Sequence, residues 1–327
     1  MNKTRRTLIQ GSMLTIPALS FAQTRVDEVK WPESVVRIMV GFTPGASVDT
    51  SARIVAEQLS VHLAKAVIVD NKAGASGTIA AEYVARSKPD GYTLMYCSPP
   101  THTIGVFLYK DLHYDAQRDF TPISLVAMHP NILTVHPSVK ANTLQELVEA
   151  IRKDSSQSFY AAVIAGSPHL ACEAFQQRAK IKMNLVPYKG ASQGIADVVG
   201  GTVPISFENA ASVIGLVNAG KLKPIAVTSL ERLAILPNVP TMSESGYPGF
   251  ESEGWGGLVG PAGIPPAVTQ RLSEQITSFL GTPAVRRKFD ELGLRVANGG
   301  PAQFGKFLDE QRSFYKELIT RINLKVE

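Results

Sequence analysis

Between Val35 and Tyr96 apolar runs and amphipathic stretches alternate, and this alternation constrains the fold more than any other feature of the chain. Val35 to Val40 reads as a buried strand and Gly41 to Ala46 as a tight loop. The helix that follows has Ala52, Val55, Ala56, Leu59 and Leu63 on one face. Val67 to Asp70 is the next strand, and the Gly-rich loop Gly74 to Gly77 leads into a helix with Ala80, Tyr83, Val84 and Ser87 in register. Thr93 to Tyr96 closes the unit. Strand, helix, strand, helix, strand is the α/β pattern of a mainly parallel sheet.

A second set starts at Ile132 to Val135. Its first helix carries the capping box Thr143-x-x-Glu146 ahead of Leu147, Val148 and Ile151. Strands are expected at Phe159 to Val163, Leu185 to Tyr188, Val203 to Phe207 and Pro224 to Thr228, with helices from Pro168, from about Ala191, and up to a stop at Gly220. Leu236 to Gly263 is dense in Pro and Gly. Beyond it the pattern is helical and without strands of its own, with Leu272, Ile276 and Phe279 on one helix and Phe304, Phe307, Leu308, Tyr315 and Leu318 on another. A length of 327 residues suits two cores. If the tail helices pack back on the first lobe, the chain crosses twice and builds a hinge. Lobe 1 is then residues 23–128 and 226–327, and lobe 2 residues 129–225.

Residues 1–22 read as a leader. Arg5 and Arg6 precede a short apolar stretch, Leu8 to Leu19, and Ser20-Phe21-Ala22 fits a small-x-small cleavage site. The arginine pair resembles a twin-arginine (Tat) export signal, with a general secretory signal as the alternative, and the stretch is too short to span a bilayer. The expected location is the periplasm. The leader holds Lys3, Arg5 and Arg6 of the 33 basic residues, which leaves 30 against 28 acidic ones and a mature charge near +2. No basic run remains to track a phosphate backbone, so no nucleic-acid partner is expected. With 44% hydrophobic and 19% charged residues the chain is too apolar for disorder.

The loop Phe42-Thr43-Pro44-Gly45-Ala46-Ser47-Val48-Asp49 ends a strand and opens a helix, where free amides and the helix dipole favour an anion. The Asp49 carboxylate would repel an anion, so its role is to hold loop amides or a bridging water. Gly166-Ser167-Pro168-His169 is a second such corner, with Ser167 as N-cap and Pro168 at the first helical position. Both corners also read as ordinary capped turns. Ser98 to His102 reads as a polar loop at the same sheet edge. Gly190-Ala191-Ser192-Gln193-Gly194 matches the hydrolase elbow G-x-S-x-G, which makes a Ser192 hydrolase the enzymatic alternative. Every histidine precedes Ser192, however, whereas that architecture places its base later, and a third amide-rich helix start is the preferred reading. There is no nucleotide-loop, metal or C-x-x-C spacing, so no cofactor and no metal are expected. Cys97 and Cys172 are far apart and leave pairing open. Trp255 and Tyr247 either line a pocket or pin their segment to the core.

Several segments occur in one order: Phe42 to Asp49, Asn71 to Gly77, Lys88-Pro89-Asp90-Gly91-Tyr92-Thr93-Leu94, Thr101-His102, Asp119-Phe120-Thr121-Pro122, Gly166 to Leu170, Val186 to Gly190, Ala219 to Leu222, Ala226 to Ser229, Leu236 to Thr241 and Gly260 to Gly263. Together they resemble the Bug (TctC-like) solute-binding receptors of tripartite tricarboxylate transporters, over nearly the whole mature chain. The resemblance implies an α/β, type II periplasmic-binding-protein fold of two lobes with a hinge and an interlobe cleft. It implies a monomeric, non-enzymatic receptor that captures a small carboxylate compound by loop amides, hydroxyls and water. Its implied first-lobe contacts are Phe42, Thr43, Ala46, Ser47, Asp49, Ser98 and Thr101. Its implied second-lobe contacts are Gly166, Ser167, His169, Tyr188, Gly190, Ala191, and Glu208 or Asn209. The implied partner is a pair of membrane permease subunits (TctA/TctB-like), with a membrane sensor as the alternative. Ala46 stands where the family has a second Gly, Glu208 where it has Asp, and the two cysteines are atypical, so the ligand's identity stays open.

Overall fold

The computed structural model describes residues 30–109, 111–154, 159–164, 166–188 and 190–322, so the leader lies outside the described residues. Residues 31–327 form one compact unit. The chain runs β1 (Val36–Val40), α1 (Ser47–Leu63), β2 (Val67–Asn71), α2 (Thr78–Ala85), β3 (Thr93–Cys97), α3 (Pro99–His102), α4 (Gly105–Leu108) and β4 (Phe120–Val135). It continues α5 (Leu144–Lys153), β5 (Tyr160–Ile164), α6 (Ser167–Ala179), β6 (Asn184–Tyr188), α7 (Ala191–Val199), β7 (Ile205–Asn209), α8 (Ala210–Asn218) and β8 (Lys223–Val227). It closes with β9 (Glu253–Pro261), α9 (Pro266–Leu280), α10 (Pro283–Asp290), β10 (Arg295–Gly299) and α11 (Pro301–Ile322).

The strands follow the order β2-β1-β3-β9-β4-β7-β5-β6, with β8 and β10 also pairing β4. The expected parallel unit is present, because β1 pairs in parallel with both β2 and β3. Ile38 and Leu94 face one core with Val55 and Leu59 of α1 and Leu272, Ile276 and Phe279 of α9. Met39, Met95 and Cys97 face the other, against Trp255, Phe304 and Leu308. Strands buried on both faces are what continuous apolar runs such as Val36–Val40 encode. Around β5–β7 the same logic repeats, with Leu133, Phe175 and Phe207 on one side and Ile132, Ile195 and Val213 on the other. In α5 the Thr143 cap forms, its Oγ1 accepting the Glu146 amide at 3.1 Å, while the Glu146 carboxylate accepts from the Asn142 amide at 2.7 Å instead of closing the box on Thr143.

Strand β4 is longer than the sequence pattern suggested, 16 residues in place of the four from Ile132. Phe120 to Pro130 pair with β9, and Asn131 to Val135 pair with β7. One strand therefore passes from one sheet into the next, and the transition falls at His129-Pro130-Asn131. The helical tail does contain a strand, β10, contrary to expectation, and the Pro/Gly-rich segment contains β9. Both pair antiparallel with β4 and so need no amphipathic signature of their own. In β9 the Gly-rich run Gly254-Trp255-Gly256-Gly257 lets large neighbours close in, since a Cβ at Gly256 would collide with the Tyr96 ring. The segment between β8 and β9 places Leu233 and Val239 in one core around β7, and Met242 and Phe250 in the other. Cys97 and Cys172 are buried free thiols in separate cores. Among the described residues no helix is long and apolar enough to cross a membrane, and no His/Cys/Asp/Glu cluster could hold a metal.

Candidate ligand-binding site

Helices α1, α6, α7 and α8 all begin around one inner cavity of about 40 Å³. Ala46, Ser47 and Val48 reach it from the start of α1, Gly166, Ser167 and Pro168 from α6, Ala191 from α7, and Asn209 with Ser212 from α8. Ser98, Pro99 and Pro100 close it from α3, and His129 and Trp255 form its floor from β4 and β9. A helix start carries free N–H groups and the positive end of its dipole, worth about 0.3–1 kcal/mol apiece toward a nearby anion. No lysine or arginine is among the described residues around this cavity.

The first corner is braced by a carboxylate. Asp49 is 1% exposed, and its Oδ2 accepts from the Gly45 amide and from Arg53 Nε, both at 2.9 Å. Its Oδ1 accepts from Arg53 Nη2 at 3.0 Å and from Asn71 Nδ2 at 2.8 Å. Asn71 Nδ2 also donates to the Phe42 carbonyl, which ties the loop to the end of β2. Burial alone would raise the Asp49 carboxyl, but the Arg53, Asn71 and Gly45 hydrogen bonds outweigh it and hold it below its ordinary value. Asp49 therefore shapes the loop from behind, as its charge required, and does not line the cavity.

The second corner is held by neutral groups. Gly166, with φ +141°, is the N-cap residue of α6, so Ser167 is the first helical residue and not the cap that the sequence suggested. Ser167 Oγ is freed from capping and lies 3.4 Å from both Asn131 Oδ1 and Asn209 Nδ2. Asn209 Nδ2 donates to Asn131 Oδ1 at 2.6 Å. A Cβ at Gly166 would come within 3.2 Å of Pro100 Cγ, so α3 and this corner are in near contact across the cavity.

Between the corners stands His129, which sequence reading did not place at the site. It is 2% exposed, and its Nδ1 lies 2.8 Å from Ser47 Oγ. Its Nε2 is buried without a partner among the described residues, as is Trp255 Nε1, and the buried Ser98 hydroxyl, which faces the Thr101 amide in the α3 capping box, donates to none of them. Burial pushes the imidazole down to about 3, so it is neutral at physiological pH. Either group can donate in this contact: a Ser47 hydroxyl donating to Nδ1 leaves the imidazole proton on Nε2, and the reverse direction puts that proton on Nδ1.

Two larger chambers adjoin the inner cavity and share Ala46 and Ala191 with it. One, of about 410 Å³, lies among Phe42, Thr43, Gly74, Ser76, Tyr188 and Gly190. The other, of about 420 Å³, lies among Pro44, Ser192, Ile195, Val199 and Leu216.

Phe42, Ala46, Ser47, Ser98, Gly166, Ser167, Ala191 and Asn209 are thus brought around the inner cavity, while Thr43, Tyr188 and Gly190 line the outer ones. Thr101, His169 and Glu208 line none of them. Thr101 Oγ1 accepts the Ser98 amide and so stabilises the short helix α3, where a loop was expected. His169 Nε2 sits 3.6 Å from Glu173 on the side of α6. Glu208 is fully buried in β7, and burial raises its carboxyl well above the ordinary range. Neither of its oxygens has a partner among the described residues. Trp255 lines the cavity, whereas Tyr247 packs edge-on against Phe175, so the two aromatics divide between the two roles weighed for them. In the G-x-S-x-G segment, Gly194 exists for packing, since its Cβ would meet the Tyr188 ring at 3.0 Å. Ser192 is exposed, and no histidine is hydrogen-bonded to it among the described residues. His129 could have been noticed as the one titratable residue in the mostly apolar run Leu125 to Val135.

Residues 51–324 match the profile of the tripartite tricarboxylate transporter family receptors (TctC). BugT of Bordetella pertussis is 30% identical over 329 residues, spanning 100% of both chains. The structure of R. palustris Rpa4515 with adipate superposes with a TM-score of 0.87 at 30% identity, covering 90% of this chain and 99% of that one. MatC from Rhodopseudomonas palustris with bound malate superposes with a TM-score of 0.80 at 27% identity, covering 88% and 100%. The periplasmic binding protein BugD shares the same two-lobed fold, with a TM-score of 0.83 at 30% identity over 91% of this chain. These matches leave no room for the hydrolase alternative, since the family comprises solute-binding receptors and not enzymes. A chain whose helix starts surround a cavity with no lysine or arginine among the described residues around it, and which these comparisons match along nearly its whole length, belongs to the TctC (Bug) family of solute-binding receptors.

Proposed function

We propose that this protein is an exported periplasmic receptor that captures a small carboxylate compound and presents it to the membrane permease pair of a tripartite tricarboxylate-type transporter. Residues 1–22 serve as its export signal by the twin-arginine route. Residues 23–128 and 226–327 act as one lobe and 129–225 as the other, and they close on the ligand by a population shift about β4 and the segment leading to β9. Phe42, Thr43, Ser47, Ser98, Gly166, Ser167, Tyr188, Gly190, Ala191 and Asn209 are its contacts.

The carrying observation is the convergence of the α1, α6, α7 and α8 starts on a cavity lined by residues whose buried polar atoms have no partner among the described residues. Burying a carboxylate without partners costs several kcal/mol, and oriented neutral donors offset that cost without a salt bridge. Adipate and malate in the related receptors support the ligand class. A thermal-shift series across mono-, di- and tricarboxylates is expected to raise Tm for at least one member, and no shift with any of them overturns the reading. Co-purification of the tagged receptor with permease subunits from detergent-solubilised membranes tests the transport role.

A further inference from the structure

The ends of the site differ in chemistry. At the inner end His129 Nε2 and the Ser98 hydroxyl are buried, find no acceptor among the described residues, and belong to two residues that line a cavity with room for only a few water-sized atoms. An unpartnered buried donor carries a desolvation cost that a ligand oxygen would relieve. One carboxylate group fits that volume and that donor set. The outer chambers present Phe42, Ala73, Ala75 and Tyr188 on one side and Ile195, Val199 and Leu216 on the other. Among the described residues no charged side chain lines either chamber. Tyr188, the one phenol there, already donates its hydroxyl proton to Asp197. A second carboxylate placed in either chamber would meet hydroxyls and loop amides such as Thr43, Ser76 and Ser192 but no counter-charge among the described residues, and fewer converging helix starts than at the inner end.

We propose that this receptor selects a monocarboxylate with an apolar or aromatic body. The carboxylate seats against His129 Nε2 and Ser98 Oγ, and the body lies in the outer chambers. The assignment rests on the carboxylate-receptor reading above. His129 sets the specificity of the inner end in the tautomer this proposal requires, with Ser47 donating to Nδ1 and the proton on Nε2, where it serves as a neutral donor. A neutral donor suits a single anion already favoured by the surrounding helix starts, and it adds no fixed charge to the cavity.

The test is calorimetric titration of the purified protein with matched acids: hexanoate against adipate, and benzoate against terephthalate. The monoacid of each pair is expected to bind at least tenfold more tightly. His129→Phe keeps the ring but loses the donor and is expected to weaken hexanoate at least tenfold, while His129→Gln, with an amide N–H, recovers part of the loss. If adipate and terephthalate bind as tightly as their partners or better, the monocarboxylate inference falls and the receptor reading stands. If His129→Phe binds hexanoate like the unsubstituted protein, the role of His129 falls. If none of the four acids binds while another carboxylate raises Tm, the proposed class is wrong. If no carboxylate of any kind binds, the receptor reading itself fails. Should His129→Phe not fold, the mono-to-diacid ratio in the unsubstituted protein still decides.

Discussion

The two corners that face each other across the cavity look alike in sequence, each a strand end, a glycine and a helix start, yet they are held in opposite ways. The Phe42–Asp49 corner is clamped by one buried carboxylate with donors from Gly45, Arg53 and Asn71. The Gly166–His169 corner relies on a glycine at φ +141° and on long contacts from Ser167 to the Asn131–Asn209 pair. Charge-assisted hydrogen bonds are shorter and roughly twice as strong as neutral ones, so the first corner is a fixed half-site and the second an adjustable one. A closing receptor profits from that asymmetry, because one side can stay pre-formed while the other adapts to the ligand.

Substitutions at the clamp should break this contrast most severely. Asp49→Ala frees the Gly45 amide, Arg53 and Asn71 together, and is expected to cost about 2–3 kcal/mol, below the value for a fully buried pair because Arg53 is half exposed. Urea unfolding measures the loss, and ligand affinity should fall at least tenfold with it. Because the Asp49 carboxyl is held below 3.8, the stability it lends is complete above that value and fades as pH falls through its lower, folded value. Asp49→Asn should accordingly be weaker than the unsubstituted protein at pH 6, with the gap closing below pH 4.

Glu208, beside Asn209 at the end of β7, gives a test of opposite sign. Burial raises its carboxyl above 4.5, so its favourable neutral form is fully present below 4.5 and each pH unit above that costs stability. The slope is about 1.4 kcal/mol per unit as long as the acid stays protonated in the folded protein. Glu208→Gln is expected to melt higher than the unsubstituted protein at pH 8 and to lose that advantage by pH 4.5. An advantage constant with pH would mean that the carboxyl is not protonated in the folded state.

At the adjustable corner the effects should be smaller and should fall on binding more than on folding. Gly166→Ala forces a side chain into φ +141° and within 3.2 Å of Pro100, at about 1–2 kcal/mol, with an affinity loss larger than the stability loss. Ser167→Ala removes only long contacts and should cost less than about 1 kcal/mol in unfolding. A Ser167→Ala penalty equal to that of Asp49→Ala would erase the contrast between the corners.

Both corners and the helix starts behind them were legible because they are local: a strand, a tight turn and a capped helix are written in consecutive residues. The same holds for the role of Asp49, where electrostatics alone argued against direct contact with an anion. The strands β9 and β10 were not legible, since their pairing with β4 comes from distant partners and their own residues carry no period. Asp49, Thr101, His169 and Glu208 were named by likeness to the family and line none of the three cavities, because the loop clamp, a helix turn or a buried strand face directs each of them elsewhere.

The chain order of apolar runs, turns and caps was enough to settle the α/β class, the parallel first unit and the amide-rich loops. Placing His129 beside Ser47, 82 residues apart, required the long strand β4 to leave one sheet and enter the other. The chemistry of the inner end depends on that crossing. Local pattern reports only which face of an element is apolar, while the burial that leaves an imidazole nitrogen without a partner is a property of every element packed around it.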